Sequence, residues 1–259
     1  MPVDELSSAV RSSSLAALFW LTPNGEPAAA GVVAVMLDGR PAVAFTYAQE
    51  ERARSAAGSS VLAIAFTERR STGRSFRPLV AVGRPRLVED PGGVVFTEHL
   101  LDDELRRYPP SRGFADSPLL RREHWWYLPR LIVCLDVTSV QELPDRASPD
   151  DGLLAVAPAS DRIEVRVVDV SSPASGPTVV PTVHGPVVPP GPAALLGQDA
   201  SFPDLEQWST WCFHGSWDGD LMTVTRAPEQ VGLEPPRTLR QRLRAQRDLA
   251  RRCRAAIPR

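Results

Sequence analysis

Two turn codes constrain this chain more than any other feature. Asn24-Gly25 and Asp38-Gly39 each stand between apolar runs, and such pairs accept the left-handed backbone that a two-residue β-hairpin turn imposes. Leu15 to Leu21, Pro27 to Leu37 and Pro41 to Tyr47 therefore read as three strands of an antiparallel meander. Gln49 to Ala57 then mixes Glu50, Glu51, Arg52 and Arg54 with alanines, which suits a short helix ending at Gly58-Ser59-Ser60. Val61 to Thr67 is a fourth strand. Leu79 to Val88 is a fifth, in which Gly83 and Pro85 predict a bulge or an edge position. Val94 to Tyr108 carries Leu100, Leu101 and Leu105 on one face and reads as a helix stopped by Pro109-Pro110. Leu131 to Val140 is a sixth strand.

The second half is punctuated differently. Pro144 to Pro149 reads as a linker. Ile163 to Val170 alternates as a half-exposed strand does. Residues 171–192 are too rich in proline and glycine for a regular assignment. Ala193 to Gly197 is a short apolar run, Phe202 to Ser209 reads as a helical turn or two, and Thr210 to Thr225 as a hairpin about Asp218-Gly219. The expected fold is mainly β: a β-barrel with flanking helices over residues 10–143, a smaller α+β region over 150–235, and a basic C-terminal helix over 236–259. A faint parallel between the halves leaves open that 150–235 is a degenerate second barrel.

Composition then removes function classes. All 29 basic residues are arginine, so a P-loop lysine, a pyridoxal Schiff base and a lysine general base are excluded. Cys134, Cys212 and Cys253 form no CxxC pair, and His99, His124, His184 and His214 show no metal-ligand spacing, so neither a disulfide framework nor a metal site is expected. No apolar run reaches the roughly 18 residues of a membrane span, and the acidic start Met-Pro-Val-Asp-Glu is unlike a signal peptide. A cytoplasmic protein without a membrane partner is expected. The net charge of −2 divides unevenly: nine arginines against Asp248 make residues 237–259 +8, leaving −10 on residues 1–236.

The order of strands, turns and one basic helix resembles the FMN-binding split-barrel superfamily, which includes pyridoxamine 5′-phosphate oxidase and its relatives. The matching stretches are Asp38-Gly39, Phe45-Thr46, Arg52-Ala53-Arg54-Ser55-Ala56, Val61 to Thr67, and Gly83 with Glu89-Asp90. Arginine, serine and alanine stand at 52, 55 and 56, where the family pattern has lysine, asparagine and leucine. The resemblance implies an FMN-dependent oxidoreductase acting on a small-molecule substrate. The alternatives are a reductase using the deazaflavin F420, whose acidic tail also suits arginine, and a flavin- or ligand-binding module without turnover. Some members hold haem through a lone histidine. It also implies a homodimer, unless residues 150–235 take the partner's place within one chain.

The physical case for these residues is separate from the name. A planar guanidinium pairs bidentately with a phosphate dianion, which nominates Arg52 and Arg54, with Thr46, Tyr47 and Ser55 as hydroxyl donors. The bland reading is a solvated helix face paired with Glu50 and Glu51. Trp125, Trp126, Tyr127 and Arg130 set flat surfaces beside cationic donors, as a flavin ring requires. Packing at a barrel end or an interface is the competing use for those aromatics. No residue is assigned a catalytic role. The C-terminal segment carries an apolar stripe, Leu239, Leu243, Leu249, Ala250, Cys253 and Ile257, edged by arginine. Its lack of aromatics and the acidic body disfavour nucleic acid and favour docking on the body.

Overall fold

A computed structural model describes residues 3–68, 77–108, 111, 125–146, 148, 150–170, 178–179, 181–202 and 205–258. Helix α1 spans Val3–Ser12, and strand β1, Ala16–Leu21, follows it with every residue buried. The Asn24-Gly25 turn returns the chain into β2, Pro27–Val32, with Gly25 at a φ of 77°. After Val33 comes β3, Ala34–Leu37, then β4, Arg40–Thr46. Asp38 and Gly39 between them have φ of 50° and 75°. Both central residues are left-handed, the geometry predicted from their identities.

A 3₁₀ turn, Tyr47–Gln49, leads into helix α2, Glu50–Ala57, and then strands β5, Leu62–Phe66, and β6, Leu79–Asp90. The bulge predicted at Gly83 is present as a register shift between Val82 and Gly83. The helix expected after it opens with a π turn, Phe96–Leu100, and continues as α3, Leu101–Arg107. Strand β7, Arg130–Glu142, completes the sheet, whose order is β2-β1-β5-β6-β7-β4-β3. The outermost members, β2 and β3, are consecutive lengths of one bent strand. The sheet therefore closes on itself as a six-stranded barrel. The N-terminal domain is a split barrel.

Alternation sorts the strand side chains. β7 sends Leu131, Val133 and Leu135 inward to meet Leu18, Phe45, Ile64 and Phe66, and turns Arg130, Ile132 and Cys134 to the outer wall. Ala53 and Ala56 seat α2 against the interior.

The C-terminal region holds a second seven-stranded antiparallel sheet: β8 (Gly152–Ala159), β9 (Arg162–Asp169), β10 (Thr178–Val179), β11 (Thr182–Val183), β12 (Gly191–Ala200), β13 (Trp208–Trp217) and β14 (Met222–Arg226). Their order is β10-β14-β13-β12-β8-β9-β11. One face packs Leu153, Ala155, Val165 and Val167 on Ala17, Phe19, Ala63 and Ala65 of the barrel wall. Among the described residues of 150–235 the regular elements are strands. Leu205 has a φ of 52°, and the Ser201 hydroxyl accepts from Gln207 N at 3.0 Å. Residues 205–207 lead directly into β13, and residues 203–204 lie outside the described residues. The helical component of the C-terminal region is α4, Leu239–Ala256, opened by a Thr238–Gln241 capping box. Its Ala250 and Cys253 are buried against the barrel's other outer wall, with Phe96, Leu100, Ile132 and Cys134. No helix among the described residues is long and apolar enough to cross a membrane.

Candidate functional site

β4, β6 and β7 converge at one end of the barrel. Register places Thr46, the last residue of β4, opposite Arg130, the first of β7, and Arg130 opposite Asp90, the last of β6. The two groups of candidate residues, 46–55 and 125–130, are thereby joined at a single rim.

On the α2 side the polar groups have found one another. Arg54 donates from Nε to Glu50 at 2.8 Å and from Nη1 to Glu89 at 2.9 Å. These two carboxylates raise the guanidinium pKa further. The Ser55 hydroxyl accepts from Trp20 Nε1 at 2.9 Å. Arg52 is exposed and has no ion-pair partner among the described residues. Tyr47 is buried in the barrel interior, and its hydroxyl has no hydrogen-bond partner among the described residues. Burial, then Glu89, pushes that phenol's pKa up, against the smaller pull of Arg54. Glu50 and Glu51 fill the first turn of α2, so its N-terminal dipole faces carboxylates already.

The aromatic side of the rim is built differently. Arg130 is 1% exposed, its guanidinium carbon 3.8 Å from the Phe96 ring centroid and 4.1 Å from that of Tyr127. Its Nη2 lies 3.7 Å from Glu104. Glu104 in turn accepts from the Tyr127 hydroxyl and from Ser111 Oγ, the latter at 2.9 Å. Burial first, and then Glu104, drives the Tyr127 phenol well above its ordinary pKa. Trp126 is buried in the same outer-wall cluster, while Trp125 is 63% exposed. In this arrangement Arg130 and Trp126 serve the wall between barrel and α3, and Trp125 is the aromatic that faces outward. Arg121 to His124 lie outside the described residues.

The reading of Arg52 and Arg54 as a solvated, acid-paired helix face holds for Arg54 through Glu50. The second partner, Glu89, comes from β6, a long-range contact without a local sequence signal. Glu104 and Phe96 were not singled out in the sequence either, because α3 reads there as an ordinary amphipathic helix. Of the remaining histidines, His99 and His184 are exposed. His214 is half-buried on β13, and burial and Arg226 lower its pKa while a hydrogen bond to the Pro27 backbone opposes them. No group of three or more potential metal ligands occurs among the described residues.

No protein-family profile matches the sequence. No curated protein matches it either. Solved structures do resemble the fold. A heme binding protein from Mycobacterium smegmatis is 14% identical, with 98% of this chain and 99% of that chain covered, at a TM-score of 0.38. A pyridoxamine 5′-phosphate oxidase-related, FMN binding protein from Nostoc punctiforme is 13% identical over 64% of this chain and 96% of that one, at a TM-score of 0.37. A protein of unknown function from Agrobacterium tumefaciens is 19% identical over 54% of this chain, at a TM-score of 0.37. The match spans 55% of that protein's length.

Proposed function

We propose that this chain is an FMN-binding split-barrel protein acting as an oxidoreductase on a small molecule, with its ligand at the rim where β4, α2 and β7 meet. The register of Thr46 opposite Arg130 carries this reading, because it gathers cationic, hydroxyl and aromatic groups at one barrel end. The phosphate side fits the group. Arg52 is exposed with no ion-pair partner among the described residues, and the Arg54 contacts are half-exposed ion pairs, which are worth only about 0–1 kcal/mol each and yield readily to a bidentate dianion. The Tyr47 hydroxyl, without a hydrogen-bond partner among the described residues, is buried in the barrel interior and does not face the rim. The ring side fits less well, since Arg130 is enclosed by Phe96 and Tyr127 and only Trp125 presents an open face. A bound flavin would supply the hydride exchange, and the residues of this chain would bind and orient it.

A second reading, a ligand-binding module without turnover, is favoured by the commitment of Arg54 to two carboxylates and of Ser55 to Trp20. Titration of the purified chain with FMN separates the two. Quenching of flavin fluorescence that is lost in Arg52→Ala and Arg54→Ala supports the first reading. Unchanged fluorescence at FMN concentrations up to about 100-fold over protein removes flavin chemistry and leaves the second. A colourless chain that takes up F420 and not FMN would move the assignment to the deazaflavin.

A further inference from the structure

The hold of α4 on the barrel is confined to one end of the helix. Of its 18 residues, Ala250 and Cys253 are the buried ones, and both are small. Leu249 and Ile257 pack half-buried beside them against the wall of Ile132 and Cys134. Toward the N-terminus the contact thins: Leu239 is 77% exposed and Leu243 53%. There Arg242 meets Glu206 at 3.3 Å, a pair about half-exposed on both sides, and pairs of that kind contribute little. The facing wall offers mostly small side chains as well, Ala42, Ala44, Ala48 and Cys134.

The same helix is equipped to persist away from the wall. The Thr238–Gln241 capping box satisfies its first turn from within, Asp248 and Arg251 pair along it at 2.9 Å, and alanine, leucine, arginine and glutamine favour the helical state. Its approach is loose. The connection 227–237 has no buried residue; Glu234 N donates to Ser209 Oγ at 2.8 Å, and Pro235, Pro236 and Arg237 beyond that point are exposed. Glu234 is thus an anchor, and the next three residues are a tether.

What lies beneath α4 is part of the candidate site. The helix rests on the 3₁₀ turn Tyr47–Gln49, and Ala48 of that turn packs in one cluster with Ala250 and Cys253. The turn joins Thr46, at the rim opposite Arg130, to α2 with Arg52 and Arg54. Docking of α4 and placement of α2 therefore share a three-residue element.

We infer that α4 is a releasable strap, which leaves the barrel wall as an intact helix on the 235–237 tether and, when docked, holds the 47–49 turn and so α2 in place. Opening of this kind belongs to the low end of a protein's range of local stabilities, where few apolar contacts must be broken. Release uncovers Cys134 on β7 and Cys253 on the helix together, both 0% exposed when docked. A ligand whose access the strap would regulate is that of the flavin reading above; the release itself needs no flavin, so the two readings fail separately.

Alkylation of the full chain with iodoacetamide, followed cysteine by cysteine in peptide mass spectra, tests the release, and amide hydrogen exchange of residues 47–49 tests the hold on the turn. Cys134 and Cys253 are expected to react at one shared rate, at least about 10-fold above what global unfolding, extrapolated from urea to water, would permit. Ala250→Asp, which puts a charge on the docked face, should raise both rates and the exchange of residues 47–49 by at least about 10-fold. Circular dichroism and the alkylation rate of Cys212, which packs at the seam with the second sheet, should match the parent. If that variant fails to fold, Leu249→Ser takes its place and must give the same changes. Cys134 reacting no faster than global unfolding allows overturns the inference, as does Cys253 reacting fast alone, which is fraying of a helix that stays docked. Exchange of residues 47–49 unmoved by either variant overturns the hold on the turn.

Discussion

Replacing Arg130 by methionine isolates the worth of one buried charge. The side chain is 1% exposed, lies flat between Phe96 and Tyr127, and faces Glu104, itself 8% exposed. Methionine keeps most of the length and apolar contact but removes the cation. Two losses follow. Stacking of a desolvated cation on aromatic faces is worth about 0.5–2 kcal/mol. Breaking one side of a buried pair leaves an uncompensated carboxylate and costs about 3–5 kcal/mol. The sum is expected near 5 kcal/mol, a lowering of the urea midpoint by more than 1 M at an m-value of about 3 kcal/mol/M. The double variant Arg130→Met/Glu104→Gln should recover at least half of that, since the carbonyl of the introduced glutamine can still accept from Tyr127 and Ser111 while no charge is stranded. The assay is urea unfolding followed by tryptophan fluorescence for the parent, both single variants and the double. A coupling energy below about 0.5 kcal/mol would show the two groups to be energetically independent and refute the argument.

Two further outcomes follow from the same structure. All three tyrosines, Tyr47, Tyr108 and Tyr127, have raised pKa values through burial. The unfolded chain therefore loses phenolic protons near pH 10 while the folded chain keeps them, and stability falls as pH rises above that point. Phenolate absorbance should stay absent until the chain unfolds and then appear for all three together; a native titration at the ordinary value for any of them contradicts this. Gly31 on β2 is the other case: a Cβ there would lie 2.5 Å from Thr210 Cγ2 and 2.8 Å from Trp208 Cζ2. Gly31→Ala should cost about 1–3 kcal/mol by forcing the second sheet off the barrel, and a melting temperature within about 1 °C of the parent would show that this seam gives freely.

Much of the barrel was legible because its signals are local. Asp38-Gly39 encodes its own turn, and Gly83 marks its own bulge. Closure was not, because Pro27 to Leu37 reads as one run and nothing within it says that its halves pair with different strands. β8 escaped notice for another reason: Leu153 to Ala157 are all buried, and a strand covered on both faces has no alternation to read. At the rim, the i, i+4 contact of Glu50 with Arg54 is visible in sequence, whereas Glu89 reaches Arg54 only through the fold. Arg130 was chosen for its aromatic company, which is real; that the company encloses it depends on Phe96 and Glu104, which arrive from an element distant in sequence.

The bent strand has a consequence for how the molecule is made. Each half of it belongs to a hairpin that can form from nearby residues, β2 with β1 and β3 with β4. Neither hairpin closes the barrel. That waits for β4 to meet β7, with Ala42 opposite Cys134, after β5, β6 and α3 have all emerged from the ribosome. Local pairs cost little loop entropy and form early, while a pair of such separation forms late. Until residues 130–142 are synthesised, the growing chain carries an open β4 edge and an open β6 edge, both flanked by apolar side chains. A nascent or truncated chain ending before Arg130 thus offers two strand edges to its neighbours, and the last strand of the barrel is what withdraws them.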